Sequence, residues 1–81
     1  PKAAKLSYKD QRDYDLLPKR IEEIDAEITN AETELSDTNL YSRNPKRFAE
    51  LTTVIDALRT EKDAAEERWL TLAEMVESLA S

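Results

Sequence analysis

The chain has 81 residues, a net charge of -6, and no Cys, His or Gly. That composition excludes a disulfide framework, a Cys/His zinc centre, a thiol nucleophile and a Ser-His-Asp relay. Phosphate-cradling loops are excluded too, because they need backbone free of a Cβ. The length allows one small domain, and 37% charged against 6% aromatic residues suits exposed helices better than a thick globule.

No apolar run exceeds three residues, so no bilayer span or secretory leader is expected, and the expected location is cytoplasmic. Residue 1 is Pro, which reads as the start of a piece of a longer polypeptide. Charge is uneven: residues 1–20 hold six basic and three acidic side chains, and residues 21–81 hold six basic and fifteen acidic. A basic trio, Arg43, Lys46 and Arg47, sits in an acid-free stretch.

Residues 1–7 read as the end of a linker. Ser7 followed by Asp10 resembles a capping box and predicts a helix over 8–36. Within it Tyr14, Leu17, Ile21, Ile24, Ile28, Ala31 and Leu35 alternate three and four residues apart, the spacing of a heptad seam. Pro18 removes a backbone hydrogen bond and crowds the preceding turn, so a kink or break is expected there. Because Tyr14 and Leu17 keep the register of Ile21, a kink is preferred.

The stretch 37–44, rich in Ser, Asp, Thr and Asn, reads as a tip loop where the chain reverses. Asn44 is a good N-cap and Pro45 suits the first helical position, which predicts a second helix over 45–79. Phe48, Leu51, Ile55, Leu58, Lys62, Ala65, Trp69, Leu72, Val76 and Leu79 repeat the heptad spacing, with only Lys62 polar.

The expected fold is all-α, a two-helix antiparallel coiled-coil hairpin, monomeric, although heptads alone leave a homodimer open. Facing positions in such a pair have residue numbers adding to 79 or 86. The smaller sum is preferred because it centres the reversal, pairs Ile24 with Ile55, and offers the Trp69 indole an acceptor in Asp10. Lys62 reads as a register-fixing seam residue whose stem packs while its ammonium reaches the surface. Tyr14 and Trp69 read as packing residues, and Tyr8 and Tyr41 as exposed aromatics. Carboxylate pairs such as Glu22-Glu23 and Glu66-Glu67 point about 100° apart on a helix with no cleft around them, so they read as solvated faces. No catalytic constellation and no metal site is expected.

The run Lys5-Leu6-Ser7-Tyr8-Lys9-Asp10-Gln11-Arg12, then Leu17-Pro18, the heptads, Leu40-Tyr41 with Asn44-Pro45 and Phe48, and finally Glu67-Arg68-Trp69-Leu70 resemble the C-terminal domain of Uup-type ABC-F ATPases. The resemblance covers about residues 5–77. It implies a coiled-coil hairpin following two nucleotide-binding cassettes, which would supply the parent's ATP and Mg chemistry; this domain itself would hold no cofactor. It also implies a soluble parent without transmembrane domains, associated with ribosomes or translation, and a contribution of this domain to DNA contact.

Under that implication the candidate phosphate-contacting residues are Lys2, Lys5, Lys9, Arg12, Lys19 and Arg20 at the base, and Arg43, Lys46 and Arg47 at the tip. Such contacts give weak, salt-sensitive, sequence-independent binding to DNA or RNA, and the acidic middle confines contact to the ends. The tip could also offer helix N–H groups to a phosphate. A second reading stays open: a structural or protein-interaction arm that docks the parent on the ribosome or on another protein, its charges serving solubility.

Overall fold

Ser7 starts the first helix by a local exchange of partners. In the computed structural model, which describes residues 5–80, its Oγ accepts the Asp10 N–H at 3.1 Å while its own backbone stays extended. Lys2 and the first half of the expected linker lie outside the described residues. Helix α1 then runs Tyr8–Leu35, α2 is a single turn at Leu40–Arg43, and α3 runs Pro45–Ala80. The protein is all-α, and among the described residues there is no strand.

Of the two readings at Pro18 the break falls away here, and the tip-loop expectation changes. α1 continues across Pro18 without a break. The ring forfeits one hydrogen bond, but Leu17 and Ile21 on either side stay half-buried on the apolar face and hold the helix in register. The segment expected as a tip loop is partly helical: Ser36 and Asp37 close α1, and the Asp37 carboxylate accepts the Asn39 N–H at 2.9 Å. α2 follows and packs on α3, burying Leu40. Asn44 then caps α3, its Oδ1 accepting the Arg47 N–H at 3.1 Å, with Pro45 at the first helical position.

Side-chain pairs between α1 and α3 run in opposite order: Asp10 with Arg68, Arg20 with Glu61, Glu32 with Arg59, and Glu34 with Arg47. Partner numbers fall along α3 as they rise along α1. The result is a rod of 64 × 15 × 14 Å. Its buried residues are those of the two seams, with Ile24 and Leu72 fully enclosed.

The preferred register does not hold. Ala31 shares one buried cluster with Leu40, Leu51 and Ile55, while Ile24 and Ile28 share another with Leu58. Ile24 and Ile55 thus lie in separate clusters, and pairs such as Ala31 with Ile55 fit the larger sum. α2 is the physical reason: its turn occupies the α3 side of the reversal, making the connection lopsided, and Leu40 closes that end of the core. The same offset moves Trp69 off Asp10. Trp69 stacks on Tyr14 at 5.6 Å and 7° between planes, Asp10 accepts from Arg68 at 2.6 Å, and the buried indole N–H has no acceptor.

Candidate nucleic-acid interface

The base candidates gather on one helix. Lys9, Arg12, Lys19 and Arg20 are spaced by three, seven and one residues, which sets them within about 100° of arc on α1, with Arg20 at the edge that borders α3. The stripe is roughly 16 Å long at 1.5 Å per residue. Leu16 lies within it and is 58% exposed. Lys5 is exposed just ahead of the helix.

These cations are not equally available. Lys9 holds Asp13 at 2.9 Å, and Arg12 is 3.9 Å from the same carboxylate. The Lys9 hydrogen bond holds the Asp13 carboxyl below the usual carboxylate range, with Arg68 adding to the effect. Arg20 is committed further: it forks onto Glu61 at 2.7 and 2.9 Å and reaches Glu27 at 3.2 Å. That fork raises the guanidinium pKa and lowers that of Glu61. Lys5 and Lys19 have no carboxylate partner among the described residues.

At the tip, Arg43 binds Asp37 at 2.8 Å and Arg47 forks onto Glu34 at 2.6 and 2.8 Å. Both carboxylates are held below their ordinary pKa, chiefly by these hydrogen bonds. Lys46 has no such partner among the described residues. The α3 N-terminus is also largely spent: Pro45 has no N–H and Arg47 gives its own to Asn44. The base and tip groups are therefore not brought together, and the tip trio presents one unpaired cation instead of three.

Sequence reading singled out Lys62 in the seam but passed over Arg59 and Arg68, which also tie α1 to α3. Arg68 bonds Asp10 and Asp13, Arg59 bonds Glu32 at 2.6 Å, and half-buried Lys62 sends its ammonium to Asp25 at 2.6 Å. The Asp25 hydrogen bond raises the Lys62 pKa. Their signal was available in positions flanking the seam, where coiled coils place interhelical charge pairs. Among the described residues all six arginines make ion pairs. No cluster of His, Cys, Asp or Glu there is arranged to hold a metal ion, and no helix is long and apolar enough to cross a membrane.

Comparison with known proteins matches the model of the family described as ABC transporter C-terminal domain over residues 5–74. The chain is 42% identical to the ATP-binding protein Uup of Caulobacter vibrioides over 98% of its own length and 13% of that protein's. It is 30% identical to the Escherichia coli K12 ATP-binding protein Uup over 83% of its length and 11% of that protein's. A Haemophilus influenzae ATP-binding protein Uup-like is 40% identical over 53% of the chain and 9% of its own length. The chain thus spans about a tenth of the length of these curated relatives. No solved structure matches it. The chain belongs to the ABC transporter C-terminal domain family, as the C-terminal domain of a Uup-type ABC-F protein.

Proposed function

We propose that the domain is a non-catalytic accessory arm of a cytoplasmic ATP-binding protein, built as an antiparallel coiled-coil hairpin, which makes weak, sequence-independent contact with DNA or RNA phosphates. ATP and its Mg ion would be handled by the cassettes of the parent. The observation that carries the reading is the exposed stripe of Lys9, Arg12 and Lys19 on α1, extended by Lys5. Among the described residues Lys5 and Lys19 have no carboxylate to leave. The pairs made by Lys9 and Arg12 are solvent-exposed and therefore weak, so a phosphate can replace Asp13 at small cost. Arg20 and Arg47, each forked onto a carboxylate, contribute little, and Lys46 is the tip's main contribution.

About three or four phosphate contacts predict a slope of log affinity against log salt near -3 on duplex DNA. Fluorescence anisotropy with a labelled duplex across a salt series measures it. Reversing Lys9, Arg12 and Lys19 to Glu is expected to abolish retention, and reversing Arg43, Lys46 and Arg47 to reduce it modestly. Unchanged binding in the first variant would remove the nucleic-acid reading. A second reading, docking on a protein or the ribosome, is favoured by exposed Leu16, Tyr41 and Leu70, which a purely phosphate-binding rod does not need.

A further inference from the structure

Beside Pro18 the two long helices part into a shallow groove of about 410 Å³ walled by Pro18, Ile21, Trp69 and Leu70, with Glu66 on its rim. Leu70 is exposed although it borders this apolar floor. Two polar groups at this place lack their ordinary partners. The buried Trp69 indole N–H has no acceptor, and Pro18, having no N–H, leaves the Tyr14 carbonyl without its helical donor. The surroundings are acidic. Glu22 follows Pro18 by one helical turn and Asp15 precedes it by three residues, and neither forms an ion pair among the described residues. Glu66 is 4.0 Å from Lys62, whose ammonium is committed to Asp25 at 2.6 Å.

We propose that this groove receives a basic amphipathic peptide segment of a protein partner, an aliphatic side chain flanked by lysine or arginine. Charge complementarity selects that occupant. The aliphatic group covers Trp69, Ile21 and Leu70, and the flanking cations meet Glu66 and Glu22, where one of them can also donate to the Tyr14 carbonyl. A nucleic-acid backbone is repelled from the same rim. Of the α1 stripe only Lys19 borders this rim, one helical turn from both Asp15 and Glu22, while Lys9 and Arg12 lie six or more residues toward the N-terminus, so peptide binding and phosphate binding can be tested apart.

Trp69 is the sole tryptophan, so its emission reports directly on the groove. The 81-residue chain is titrated with a synthetic amphipathic leucine-lysine peptide and, in parallel, with a leucine-glutamate peptide of the same pattern. A saturable blue shift with the first peptide alone is expected. Leu70→Asp and Glu66→Lys, both on exposed positions, should each weaken binding about tenfold, equivalent to ~1.4 kcal/mol. Asp56→Lys, an equal charge change on α3 away from the groove, should leave it within about twofold. Circular dichroism confirms that each variant keeps its helices. Absence of a shift, an equal response to the acidic peptide, or an equal loss in Asp56→Lys overturns the proposal. A shift driven by protein concentration alone also overturns it, by making a second copy the occupant.

Discussion

Arg47 reaches back across the chain reversal and grips Glu34 with two parallel hydrogen bonds of 2.6 and 2.8 Å. The pair joins the first turn of α3 to the last turn of α1, beside the buried contact of Leu40 with Ala31 and Leu51. Its fork geometry fixes direction as well as charge, which a lysine would not do. A cation held this way serves the fold before it serves a ligand.

Arg47 and its neighbour Lys46 should therefore part company under mutation. Arg47→Ala is expected to lower the thermal midpoint slightly and change nucleic-acid affinity little, whereas Lys46→Ala should leave the midpoint alone and weaken binding. Paired thermal melts and anisotropy titrations of the two variants separate the roles.

Ile24 is fully enclosed and shares its cluster with only Ile28 and Leu58 among the buried residues. Ile24→Ala removes three carbons from a narrow seam and should cost about 2–5 kcal/mol, a large share of the stability of so small a domain. Urea unfolding should show a lower midpoint with an unchanged slope. A comparable truncation at exposed Val54 should move the midpoint little.

Acid should loosen the rod in a defined window. Asp13, Glu34, Asp37 and Glu61 all have pKa values depressed by hydrogen bonds from Lys9, Arg47, Arg43 and Arg20 respectively. A depressed folded-state value means the unfolded chain binds protons first as pH falls. The stabilising contribution is complete above the unfolded values near about 4 and is lost as pH drops through the folded ones. Thermal midpoints should be flat from neutral pH to about 5 and then fall, more shallowly in Arg47→Ala.

Pro18 sits inside a continuous helix. Pro18→Ala restores a donor for the Tyr14 carbonyl and should stabilise the domain by up to about 3 kcal/mol. Calorimetry gives the midpoint, and a lower midpoint would show that the ring packs productively beside Trp69.

Much of the architecture was legible because the seams are long and regular. The spacing from Tyr14 to Leu35 and from Phe48 to Leu72 marks residues that the structure buries wholly or in part. Leu79, last in the second seam, is exposed, beside Lys5 and Leu6 ahead of the start of α1. Register was not legible, since steps of seven leave every apolar layer plausible and the choice fell to α2. Nothing in a heptad count announces that Leu40 will be buried. The fate of the cations was harder still: Arg20 and Lys19 are adjacent in sequence, yet one is clasped by Glu61 from the other arm and the other points to solvent. Only the relative offset of the helices decides between them.

Finally, shape carries its own implication. Lys5, Leu6 and Leu79 border one shallow hollow, so both described ends of the chain lie together and the turn at Leu40 lies far off, on a body 64 Å long. Swivelling the near end by about ten degrees would sweep the far end through roughly 11 Å, the width of a helix. Such a body is a lever: a small rotation at one end becomes a large displacement at the other.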